Sequence, residues 1–93
     1  MLALRRARER LREAGRRHGV DRIRVFGSIA RGEDRIDSDV DLLVDLDPDR
    51  TLLDLIGFRQ DAERILGARV DVAAPRFMKP RVRSRALRDA RPV

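Results

Sequence analysis

Ninety-three residues suffice for one domain with its own core, and 1–93 reads as a single unit. The absence of cysteine excludes disulfides and thiolate metal sites and suits a reducing cytoplasm, where the chain is expected to work. No apolar run is long enough to span a bilayer, and the N-terminus "MLALRRARER" lacks the apolar stretch of a signal peptide.

A net charge of +6 raises nucleic acid as a partner. Of the 22 basic residues all but Lys79 are Arg, and they are spread over nearly every segment. Phe26, Phe58 and Phe77 are the only aromatics, too few for the platforms on which single strands stack. A solvated basic surface is therefore the expectation, and nucleic-acid binding ranks behind the readings below.

From Leu2 to about His18, Leu4, Ala7, Leu11 and Ala14 recur at helical spacing between charges, and Gly19 is a natural stop. His18 reads as a surface residue favoured by the helix dipole. "RIRVF" (22–26) alternates as a strand ending at Gly27, and "SIARG" allows a helical turn or two. "DVDLLVDL" (39–46) is a second strand, broken by "DPD" at 47–49, with Asp45, Asp47 and Asp49 read as turn acids. Thr51 and Asp54 form a capping box for a helix through Leu66, with Leu52, Leu55, Ile56, Ala62 and Ile65 inward. Gly67 ends it, "RVDVAA" (69–74) is a third strand, and Pro80 opens a last helix whose apolar residues are Val82, Ala86 and Leu87.

The fold class is α/β (α+β), ordered α-β-α-β-α-β-α, with a small mixed sheet of about three strands and helices on one face. Side chains alternate across a strand. Ile23, Val25, Val40, Leu42, Val44, Val70 and Val72 can then share the buried face, while Arg24, Asp39, Asp41, Asp45 and Asp71 share the other. Leu43 falls on the acidic side, where it is expected to pack at the sheet edge or against a partner.

Asp39 and Asp41 stand two apart on one strand, roughly 6 to 7 Å at Cα. Like charges so close call for a cation, and hard oxygen donors in this pattern suit Mg²⁺ together with substrate phosphates. Asp71 faces the same way and can complete a triad able to serve two ions in phosphoryl transfer. Gly27 and Ser28 stand where a strand turns into a helix start, the place at which free N–H groups meet a phosphate. Arg31 can add a cation there. Asp37 and Ser38 shape the turn into the second strand, and Arg76 and Lys79 follow the third strand with no assigned role. The bland alternative is a solvated acidic face that resists aggregation.

Gly27-Ser28, ten residues, then Asp39-Val40-Asp41 resembles the G-S-x(10)-D-x-D signature of the DNA polymerase β nucleotidyltransferase superfamily. The wording "FGSIARG…SDVDLLV" resembles its minimal branch, the MNT proteins, and "RVDVA" and "MKPRVRSRALRDA" resemble that family's third strand and closing helix. The resemblance implies transfer of AMP from ATP to a hydroxyl with Mg²⁺. By position, Gly27 and Ser28 would bind the triphosphate, Asp39 and Asp41 would ligate metal, and Asp71 would ligate the catalytic ion and help deprotonate the acceptor.

Proteins of this kind pair with HEPN toxins, small helical RNases, and can adenylylate them on tyrosine. The expectation is an antitoxin with a macromolecular acceptor, as a homodimer or hetero-oligomer. The alternative is a catalytically silent module that neutralises its partner by occlusion.

Overall fold

The computed structural model describes residues 6–26 and 40–93. Helix α1 (Arg8–His18) leads into strand β1 (Val20–Phe26), and strand β2 (Val40–Leu46) follows. Then come helix α2 (Leu52–Leu66), strand β3 (Val70–Ala73), a 3₁₀ turn (Pro75–Phe77), helix α3 (Pro80–Asp89) and strand β4 (Arg91–Pro92). Among the described residues no helix is long and apolar enough to cross a membrane.

The stops and starts have local causes. Gly19 and Gly67 close α1 and α2 in the left-handed region, at φ 69° and 64°, a conformation that costs glycine nothing. Thr51 accepts from the Leu53 amide while Asp54 accepts from the Thr51 amide, so the expected capping box forms. Pro80 sits in the first turn of α3, where its missing N–H is no loss.

The sheet is mixed, in the order β3-β2-β1-β4. β1 runs antiparallel to β2 and β4, and β2 runs parallel to β3 through the α2 crossover. The fourth strand is a correction to the expectation of about three. It is two residues long and contains Pro92, which the ladder tolerates at an edge. Since β3 and β4 lie at opposite edges, the chain from Pro75 to Ala90 carries the fold across the sheet.

β1 also begins earlier than its alternation suggests. Its register with β2 shifts between Asp21 and Arg24, and Arg22 adopts φ 47°. The Arg22 amide donates to Asp21 Oδ1 at this bulge. An extra residue there lets Val20 and Val25 both face inward, which strict alternation forbids.

The main core joins Ala7, Leu11 and Ala14 to Leu55, Phe58 and Ala62 over the inward side of the sheet, with Val25, Leu42, Val44 and Val70 beneath. Two expectations fail on α2. Leu52 and Ile56 are exposed, and Phe58 is fully buried in their place. Apolar residues occupy more than one face of this helix, and the sheet covers the face centred on Leu55, Phe58 and Ala62. On α3, Val82 and Leu87 are likewise exposed and Ala86 alone of the three is buried.

Leu43 is a further correction: it is 0% exposed within the chain itself, on a strand inside the sheet, and so packs neither at the sheet edge nor against a partner. Leu43 and Ala86 are buried outside the main cluster, so the acid-bearing side of the sheet is partly covered too.

Candidate active site

Asp41 and Asp71 are brought together. They are Cα partners in the parallel β2–β3 ladder, so their side chains leave the sheet on the same face one strand spacing apart, about 4.8 Å. Asp41 is half-buried and Asp71 exposed. Asp41 is also the partner of Phe26, the last described residue of β1 before Gly27. The chain therefore leaves β1 beside the acidic pair.

Gly27, Ser28, Arg31 and Asp39 lie outside the described residues, as do Asp37 and Ser38. Among the described residues no group of three or more acidic or imidazole side chains is gathered for a metal. The two carboxylates that are described supply hard oxygen donors on adjacent strands, a donor set that suits Mg²⁺.

Other residues take definite places. Asp45 is a strand acid, not a turn acid: its carboxylate accepts from Arg24 at 3.1 Å and lies 3.9 Å from Arg22 Nε. These cations offset the like-charge register of Asp45 opposite Asp21. Asp47 and Asp49 are exposed as expected. Arg76 donates to the carbonyls of Asp47 and Arg50 and lies over the Phe77 ring at 4.8 Å. It ties the β2–α2 turn to the segment after β3.

His18 is not a simple surface residue. Its Nε2 lies 2.8 Å from Asp61 Oδ2, and Asp61 also accepts from Arg17 and Arg64. Asp61 is 9% exposed. The hydrogen bond from His18 is the chief cause that holds its carboxyl below the ordinary range, and burial opposes it. This network pins α1 to α2 on the helical side of the sheet. Nothing in sequence spacing links residues 43 apart, so the pairing was invisible there.

Paired aspartates on the parallel strands of a mixed sheet, beside the end of β1, are an acidic arrangement of the kind that phosphoryl transfer uses. The chain belongs to the nucleotidyltransferase domain family, whose match spans residues 4–93. It is 41% identical over 78 residues to protein adenylyltransferase MntA of Thermococcus cleftensis, covering 84% of this chain and 79% of that protein. It is 39% identical over 74 residues to a Methanocaldococcus jannaschii protein provisionally named a protein adenylyltransferase, covering 80% of each.

Among solved structures, one provisionally named a minimal nucleotidyltransferase superposes with a TM-score of 0.86 at 49% identity, over 97% of this chain and 92% of that one. A toxin–antitoxin complex with AMP-PNP shares the fold at a TM-score of 0.76 and 17% identity, over 90% of this chain and 69% of that one.

Proposed function

We propose that this chain is a Mg²⁺-dependent protein adenylyltransferase that acts as the antitoxin of a HEPN-type toxin, moving AMP from ATP to a tyrosine hydroxyl of that partner. The observation that carries the reading is the register of Asp41 with Asp71, which sets two carboxylates on one face beside the end of β1. The named relatives support the adenylyl-transfer chemistry, and the toxin–antitoxin neighbour supports the partner class.

In this reading the acceptor oxygen attacks the α-phosphorus of ATP, the bond from that phosphorus to the bridging oxygen breaks, and pyrophosphate leaves. Asp71 receives the hydroxyl proton and passes it to solvent, its exposure on the short β3 strand giving water access. Asp39, Asp41 and Asp71 would hold Mg²⁺, which when bound would neutralise phosphate charge and acidify the acceptor. By the family resemblance, Gly27 and Ser28 would hold the triphosphate through backbone N–H groups and a hydroxyl, and Arg31 would add a cation.

The occlusion reading draws on Leu52, Leu53 and Ile56, which α2 leaves exposed together at its start. One experiment separates the two. Incubation of the partner with this chain, ATP and Mg²⁺ should add the mass of AMP to the partner, and Asp41→Asn should abolish the gain. Tight binding with unchanged partner mass would establish occlusion instead.

A further inference from the structure

Two surfaces beside the junction of α1 and β1 carry opposite charge. Arg8, Arg12 and Arg16 recur every four residues on α1, and with Arg22 and Arg24 of β1 they line one cleft of about 550 Å³. Leu11, Val20 and Ile23 give it an apolar floor. Asp21 lines it too, Glu9 pairs with Arg12 at 3.2 Å, and Asp45 serves both Arg22 and Arg24. Arg8 and Arg16 make no ion pair among the described residues, so the cleft keeps an excess of positive charge.

The second surface is the turn Asp47-Pro48-Asp49 between β2 and α2, exposed at all three residues. The Asp47 amide donates to the Gly19 carbonyl, which sets the turn beside the end of the cleft at Val20. The turn is held rigidly. The Arg50 amide closes it onto the Asp47 carbonyl at 3.0 Å, Pro48 fixes its own φ, and Arg76 donates to the carbonyls of Asp47 and Arg50. Neither Asp47 nor Asp49 makes an ion pair among the described residues. The turn thus offers two acids on either side of an apolar ring, the inverse of arginines around an apolar floor. It borders the cleft of its own chain without lining it.

We infer that a second copy of this chain fills the cleft, each copy placing its Asp47-Pro48-Asp49 turn among the arginines of the other about a two-fold axis. A basic patch beside an acidic one is self-complementary under that rotation, so both contacts form at once. The dimensions agree. The ends of such a turn lie within about 7 Å, and one step of the arginine row is about 6 Å along α1, so the two acids meet two neighbouring arginines. No aromatic side chain lines the cleft for bases to stack on, whereas the matching acids are on the chain itself. The net charge of +6 opposes association only over distances that salt screens. Asp41 stands at the other end of β2 from the turn, about 20 Å along the strand, so the dimer leaves the Asp41–Asp71 pair open.

Sedimentation velocity of the full chain over a wide range of concentration tests the contact, at about 0.15 M salt, where the screening length is about 8 Å. The unaltered chain should pass from monomer to dimer and no further. The near-isosteric variant Asp47→Asn, Asp49→Asn should weaken the dimer by about tenfold or more, since the two contacts together lose four exposed ion pairs. Charge reversal in the turn (Asp47→Arg, Asp49→Arg) or on the helix (Arg12→Glu, Arg16→Glu) should give monomers. An equal mixture of the two reversed chains should dimerise again, because each reversed surface then meets its opposite. A monomeric unaltered chain, the result if the cleft serves some other anion, would overturn the inference. So would a dimer that survives either reversal, a mixture that stays monomeric, or species that grow beyond the dimer.

Discussion

Asp41 and Asp71 stand in register across a parallel strand pair, one half-buried and the other exposed. If these carboxylates hold charge for catalysis, replacing either by Asn should lower the rate of AMP transfer by about 10²-fold or more, the scale for loss of one group that stabilises a transition state. Asp71→Asn should change stability by no more than about 0.5 kcal/mol, because its side chain is exposed and away from the core. The pairing of a large rate loss with an unmoved urea midpoint is the expected signature. A rate loss accompanied by unfolding would assign Asp71 a structural role.

The His18–Asp61 link makes stability fall in acid. The folded protein holds the Asp61 carboxyl below its ordinary 3.8, chiefly through the His18 hydrogen bond and then through Arg17 and Arg64. Its stabilisation is therefore complete above that value and is lost as pH falls through the lower folded value. Asp54 acts with the same sign, its carboxyl lowered first by the Thr51 amide. Asp61→Asn should cost about 2 kcal/mol at neutral pH, the scale of a hydrogen bond to a charged group. Its urea midpoint should converge on that of the unaltered protein as pH falls through the lowered folded value, whereas a constant offset at every pH would count against the account.

Gly57 is where α2 meets His18. A Cβ at that position would stand 2.7 Å from His18 Cε1 and 3.0 Å from Nδ1. Alanine favours a helix over glycine by about 1 kcal/mol, yet here it must displace a ring held by Asp61. Gly57→Ala should thus destabilise the protein by about 1 kcal/mol, the helix gain being outweighed by loss of a charge-assisted hydrogen bond. In a His18→Ala background the same change should stabilise by about 1 kcal/mol. A double-mutant cycle from denaturant midpoints reads this change of sign directly.

Short-range chemistry was legible in the sequence. Strand parity put Asp41 and Asp71 on one face, and the spacing of Thr51 and Asp54 announced the capping box. Gly19 and Gly67 stop their helices as composition suggests. What escaped depends on residues far apart in the chain. The bulge at Arg22 carries no glycine to announce it, β4 is too short to show alternation, and α2 offered more apolar residues than one sheet face can take. The cleft arginines looked dispersed because α1 and β1 meet only in the folded chain. Of the expected site, Gly27, Ser28, Arg31 and Asp39 lie outside the described residues, and their roles rest on the family resemblance.

Leu43 separates a packed second layer from an exposed acidic face. Its parity puts it on the side of Asp41 and Asp45, yet it is 0% exposed, whereas Leu53 on α2 is 78% exposed. Truncating a buried leucine removes its transfer free energy and leaves a cavity, so Leu43→Ala should cost about 2–5 kcal/mol. Leu53→Ala should cost no more than about 0.5 kcal/mol, since it vacates solvent-facing space. If Leu53 belongs to the partner surface, its loss should instead weaken toxin capture while the urea midpoint stays put. Comparing both variants in unfolding and in partner pull-down therefore assigns each leucine to its layer. A small stability effect at Leu43 would mean that the acidic side of the sheet is open after all.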